Sequence, residues 1–165
     1  TKIENGKYKI NLEEENIVYI VEEIALSVRD AIESTGINLI IDTNTEEKII
    51  KCDRNEIERC IINLLSNASK FTPSGGTITV DIKDLGEKVK ITVEDTGIGI
   101  EEKYHKYIFD RFNQVVDESS EQKGGSGLGL TITKQLITLH NGEIYVESEV
   151  GVGSEFIIIL PVYSS

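Results

Sequence analysis

Apolar residues recur along this chain in two rhythms, one of three and four and one of two, and the alternation between them predicts the elements. From Asn16 the positions Ile17, Ile20, Val21, Ile24, Val28, Ala31 and Ile32 repeat at three and four, an amphipathic helix ended by Gly36. Residues 37–42 and 48–52 are short apolar runs consistent with strands, separated by the turn-like Thr43, Asn44, Thr45 and Glu46. A second helix follows, with Ile57, Cys60, Ile61, Leu64, Leu65 and Ala68 in one stripe. Asp53 and Glu56 predict its start as a capping box, the Asp side chain accepting a free N–H and the Glu reaching back. Residues 77–83 and 88–95 alternate at hairpin distance around Gly86. Residues 101–113 read as a short helix, and 114–127 are polar, rich in Ser and Gly, and without period. A further helix begins near Gly127, apolar at Leu128, Ile132, Leu136 and Leu139, and ends at Asn141-Gly142. Residues 143–148 and 154–161 form a second strand pair around Gly151 and Gly153. The order implies an α/β two-layer sandwich, a mixed and mostly antiparallel sheet with helices on one face. Residues 1–15, with Ile3, Tyr8, Ile10 and Leu12 scattered, read as an approach segment without a core of its own, leading into a domain over 16–165.

Composition narrows the function. The 165 residues suit one domain, and 39% hydrophobic with 28% charged residues is ordinary for a soluble globule. No apolar run approaches the roughly 20 residues that cross a bilayer, and no signal peptide is visible. A start at Thr1 rather than Met is what a fragment would show. The formal net charge of -12 repels nucleic acid phosphates and anionic membranes, so neither is an expected partner. A nucleotide escapes that argument, because a divalent cation, a few side-chain cations and backbone N–H groups can carry its phosphates. Cys52 and Cys60, one in a strand and one on an apolar helix face with no His nearby in sequence, are expected as reduced core residues.

Three places carry candidate chemistry. On the second helix Asn63, Asn67 and Lys70 fall within about 60° of one another beside the core stripe. Asn is a mediocre helix former, so this strip is either a solvated polar face or a site. Asp95 lies on the same strand face as Val89, Ile91 and Val93, where a carboxylate must find a donor or bear a desolvation cost of several kcal/mol. That donor is either an N–H of its own Asp95-Thr96-Gly97 turn or a ligand. The glycines of residues 124–130 stand at a helix N-terminus, where they serve as hinges or let N–H groups approach an anion.

Together these stretches resemble the catalytic and ATP-binding domain of sensor histidine kinases, within the superfamily shared with gyrase-type and Hsp90-type ATPases. N-L-L-S-N-A-S-K-F-T resembles its N box, D-T-G-I-G-I its G1 box, I-F-D-R-F its F box and G-G-S-G-L-G-L its G2 box, in family order from about residue 16 to 161. The resemblance implies a Bergerat-type fold, ATP and Mg²⁺ as ligands, and transfer of the γ-phosphoryl group to a histidine on a separate dimerisation domain. It implies Asn67, assisted by Asn63, as the Mg²⁺ ligand; Lys70 and Arg111 at the phosphates; and Asp95 accepting from the adenine amino group. Gly97, Gly99 and Ile100 then shape the adenine end, with the Ser154 hydroxyl near it. Gly125, Gly127, Leu128, Gly129 and Leu130 supply backbone contacts to the phosphates, and residues 114–125 form a lid. K-I-E-N-G-K at residues 2–7 looks like the exit from the second helix of the dimerisation domain. Further partners implied are that domain and a downstream response regulator, with a cytoplasmic location whether the whole protein is free or membrane-bound. His105, expected as a solvated side chain, and His140, expected as a helix C-cap, lie in nothing resembling the family's H box. Three other readings compete: an ATP-hydrolysing clamp, a serine kinase of the anti-sigma type, and a nucleotide-sensing or docking module without transfer. In the clamp families a Glu stands where Asn63 is and activates water, which a carboxamide cannot do.

Overall fold

The computed structural model describes residues 8–109 and 127–163. Helix α1 (Ile17–Glu33) starts where Asn16 accepts the Val18 N–H at 3.2 Å, and Gly36, at φ 87°, turns the chain after its end. Strands β2 (Asn38–Thr43) and β3 (Ile49–Cys52) precede helix α2 (Arg54–Phe71). Then come β4 (Thr77–Asp84), β5 (Lys88–Asp95), α3 (Gly127–Leu139), β6 (Glu143–Glu149) and β7 (Gly153–Pro161).

Five strands form one sheet in the order β2-β4-β5-β7-β6, antiparallel except for the parallel pair β2–β4. Period-two patterning turns Ile78, Val80 and Ile82, Val89, Ile91 and Val93, and Phe156, Ile158 and Leu160 into one apolar face. Three helices among the described residues cover it, α1 over β2, α2 over β5 and α3 over β6, with α2 packed between the other two. The α2 stripe from Ile57 to Ala68 is buried as its spacing predicts, each large side chain contributing about 1.5–3 kcal/mol over exposure. Cys52 and Cys60 are free and buried in this core, and burial pushes both thiols up to about 12. The outward edge of β2 is held by α1: Arg29 Nη2 donates to the Leu39 carbonyl at 2.9 Å, and the Leu39 N–H donates to Glu33 Oε2 at 3.3 Å.

The structure differs from the sequence reading in two places. Strands β2 and β3, consecutive along the chain, are not paired with each other. β3 pairs instead with a strand β1 (Glu13–Asn16) inside the stretch read as an approach segment, Glu14 lying opposite Lys51. Tyr8 and Ile10 pack against the core, and the Tyr8 hydroxyl meets the Glu56 carboxylate. The second difference concerns residues 101–113, where the described part is a 3-10 turn at Glu102–Tyr104 followed by turns to Phe109. Ile108 and Phe109 are buried there, and Tyr104, half-buried, packs against the core one turn before Ile108. Phe109 meets the Phe156 ring edge to face at 6.1 Å.

Candidate functional site

Helix α2 is set in place at both ends. At its start the Asp53 side chain accepts the Glu56 N–H at 3.3 Å, as expected, but Glu56 does not reach back. Its carboxylate is engaged by Tyr8, and the Asp53 N–H donates to His140 Nε2 at 3.0 Å. His140 is therefore more than an end cap of α3: the ring is buried, Nδ1–H donates to the Leu136 carbonyl at 2.8 Å, and one neutral tautomer satisfies both contacts. Burial pushes its pKa down. Beyond it Asn141, at φ 60°, and the Gly142 N–H donating to the Ile137 carbonyl at 2.9 Å close α3.

Along α2, Asn63 and Asn67 are half-buried and Lys70 is exposed, beside the core stripe. Asn63 meets the start of α3: its Nδ2 donates to Thr133 Oγ1 at 3.2 Å and to the Gly129 carbonyl at 3.4 Å. The first Asn of the strip and a glycine of the last Gly-rich stretch are thereby brought together. Asn67 makes no side-chain hydrogen bond among the described residues, leaving both of its carboxamide atoms available to a ligand.

The other end of α2 abuts the Asp95 turn. The Ile98 N–H donates to the Phe71 carbonyl at 3.2 Å, and a Cβ on Gly97 would stand 2.3 Å from that carbonyl oxygen and 2.8 Å from Asp95 Oδ1. No side chain fits there. Asp95 is 5% exposed, and its Oδ1 accepts the Gly97 N–H at 2.8 Å, so its own turn supplies one donor. Burial raises the carboxyl pKa while the Gly97 and Ser154 N–H groups oppose that rise. Ser154 lies opposite Asp95 in the β5–β7 register and is itself buried. The chain approaches so closely here that a Cβ on Gly153, at φ 144°, would meet the Asp95 carbonyl oxygen at 1.9 Å.

Two hydroxyls that the sequence did not single out complete the arrangement. Ser148 Oγ accepts the Ile100 N–H at 2.7 Å, donates to the Gly153 carbonyl at 2.9 Å and lies 2.8 Å from Ser154 Oγ. It ties the Gly97 to Ile100 loop to the β6–β7 turn, where the Gly151 N–H also reaches the Ile98 carbonyl at 2.9 Å. Thr133 does the corresponding work at Asn63. Neither hydroxyl belongs to a motif, so its partner had to be seen to be known. Arg111, Gly125 and the expected lid over 114–125 lie outside the described residues. Gly127 and Leu128 open α3, and Gly129 and Leu130 are half-buried in its first turn. His105 is half-buried rather than solvated, its Nε2 2.9 Å from the Ile100 carbonyl.

The sequence pattern of the family described as histidine kinase-, DNA gyrase B- and HSP90-like ATPase matches residues 52–164. Hybrid signal transduction histidine kinase D of Dictyostelium discoideum is 35% identical over 98% of this chain, which spans 11% of that protein. Circadian input-output histidine kinase CikA of Synechococcus elongatus is 34% identical over 98% of the chain, which spans 22% of it. The chain thus corresponds to a small part of these relatives. Among solved structures, the catalytic domain of histidine kinase ThkA superposes with a TM-score of 0.82 at 28% identity, over 93% of this chain and 97% of that one. ThkA in complex with response regulator protein TrrA gives 0.80 at 25% identity, over 98% of this chain and 45% of that one. With the Asn helix, the buried Asp95 turn and the glycine-led α3 assembled around one sheet end, this chain belongs to the histidine kinase-, DNA gyrase B- and HSP90-like ATPase family, as the ATP-binding catalytic domain of a histidine kinase.

Proposed function

We propose that this domain delivers the γ-phosphoryl group of ATP to a histidine on a separate dimerisation domain, from which it passes to a response regulator. The observation that carries the reading is Asn63, a carboxamide that donates to Gly129 and Thr133 and cannot take a proton from water. That disfavours the hydrolysing clamp and leaves transfer, which asks for positioning and charge neutralisation more than for a base. A histidine of another domain then supplies the nucleophile.

The residues present fit Mg²⁺: the Asn67 carboxamide has no side-chain partner among the described residues, and the Asn63 oxygen is turned away from α3. Both are the hard oxygen donors this ion prefers, and it keeps several waters besides. Bound there, the ion neutralises phosphate charge. In this reading Lys70 and Arg111 act as cations at the phosphates, joined there by backbone contacts from Gly125, Gly127, Leu128, Gly129 and Leu130, the last four in α3, whose dipole favours an anion at its start. Asp95 accepts from the adenine amino group, while Gly97, Gly99, Ile100 and Ser154 shape the wall around the base.

For partners, ThkA offers the precedent of a complex with a response regulator. No helix among the described residues is long and apolar enough to cross a membrane, and we place the domain in the cytoplasm. The test supplies a dimerisation domain bearing an H box together with Mg²⁺ and radiolabelled ATP. Acid-labile label should appear on the supplied histidine and not on the isolated catalytic domain. Label on the isolated domain, abolished by His105→Gln or His140→Gln, would overturn the separation of donor and acceptor.

A further inference from the structure

Thr133 is fully buried in α3, and its hydroxyl donates back to the Gly129 carbonyl at 2.8 Å, one helical turn earlier. That donation uses the only hydrogen the hydroxyl has. Toward α2 the oxygen can therefore only accept. The Gly129 carbonyl, the other group within reach of Asn63, can likewise only accept. A carboxamide facing two acceptors at 3.2 and 3.4 Å must present its NH₂, because the flipped amide would set lone pairs against lone pairs. The direction of Asn63 Oδ1 follows from the chemistry of its neighbours and not from which atom is drawn where.

We infer that Thr133 is a positioning residue for Asn63: its hydroxyl, locked as an acceptor by the Gly129 carbonyl, fixes the carboxamide so that the oxygen faces the nucleotide-bound cation. This rests on the proposed assignment of Asn63 to the metal. Helix α3 then does two things at once, presenting N–H groups at its first turn and orienting a ligand that belongs to α2. Thr133 touches neither nucleotide nor metal and acts through Asn63. Asn67 has no such orienting neighbour among the described residues, so within the pair the amide held in advance of binding is Asn63.

The test uses Thr133→Val, nearly isosteric but unable to accept, and Thr133→Ser, which keeps the hydroxyl; Thr133→Ala stands in if the valine variant does not fold. Calorimetry measures the affinity for a non-hydrolysable ATP analogue with Mg²⁺ and with chelator. NMR follows solvent exchange of the Asn63 side-chain amide protons. In the valine variant the Mg²⁺-dependent gain in affinity should fall about three- to tenfold, the loss expected from one hydrogen bond. Affinity in chelator should hold, amide exchange should quicken, and serine should restore both readouts. A valine variant with the full Mg²⁺ gain, whether or not its amide exchange quickens, overturns the inference. Asn63→Ala separates the two levels: if it keeps the Mg²⁺ gain, the assignment of Asn63 to the metal falls and the role of Thr133 with it. If it loses the gain while Thr133→Val keeps it, only the positioning role falls.

Discussion

The Asp95 carboxylate shows how one residue can satisfy a fold and serve a site together. Its Oδ1 takes the Gly97 N–H, and the Gly97 and Ser154 N–H groups offset part of the burial cost of its charge. The sequence argument offered the turn and the ligand as rival donors; the structure shows the turn supplying one donor, the Gly97 N–H to Oδ1. Asp95→Asn keeps the size but removes the charge and weakens the side chain as an acceptor for the adenine amino group. Losing a charge-assisted hydrogen bond costs about 1.5–3 kcal/mol, so titration calorimetry should find ATP affinity reduced at least about tenfold, with melting little changed. Unaltered affinity would remove Asp95 from the adenine site. At this scale the motif residues were legible, because an Asp at the end of an apolar row and glycines without room for a Cβ announce themselves by type. Ser148 and Thr133 were not, since a hydroxyl in a strand or helix takes its meaning from a neighbour far along the chain.

Among the elements, α2 and α3 had to be registered against each other, and His140 does so from the far end of α3. The capping box was half legible for the same reason: Asp53 to Glu56 is a local contact, whereas Tyr8 and His140 reach α2 from distant sequence and displace the Glu from its expected task. The ring is useful only when neutral, with Nε2 accepting from Asp53 N–H. Its folded pKa lies below the ordinary value because burial outweighs the Leu136 carbonyl and the charges of Asp53 and Glu56, which favour the cation. The unfolded chain therefore binds the proton first, so the stability contributed is present above about pH 6.5 and is lost as pH falls through the folded pKa. Melting of the native domain should drop on acidification below about pH 6.5, and His140→Gln should flatten that part of the profile. Parallel profiles for the two proteins would show that the ring does not titrate in this role. The same long-range logic hid β1, whose Glu-rich sequence has no apolar alternation and owes its place to backbone pairing with β3.

For the molecule as a whole, the antiparallel strands β4 and β5 are joined locally, while β2 reaches β4 only after β3 and α2 have intervened. The β4–β5 and β6–β7 pairs were readable from their hairpin spacing, but the β2–β4 pair was not, because pairing across such a crossover leaves no local mark. Loop closure makes the non-local pair late. Ile91→Val, at the centre of β5 and costing about 0.5–1.5 kcal/mol, should chiefly slow folding. Leu39→Ala in β2, at about 2–5 kcal/mol, should chiefly speed unfolding. Stopped-flow chevrons giving Leu39 the higher fractional effect on folding would reverse this order.

That lateness changes the meaning of the contacts at Leu39. On a ribosome α1 and β2 emerge together, and at about 5–20 residues per second the partner strand follows only after a delay on the order of seconds. A nascent strand left waiting has two open rims, each a template on which a neighbouring chain can aggregate. Arg29 and Glu33 come from the helix made just before it, and they occupy the Leu39 carbonyl and N–H on the rim that β4 will never use. The guard thus arrives ahead of the strand it guards, and the rim left vacant is the one its own chain is about to fill.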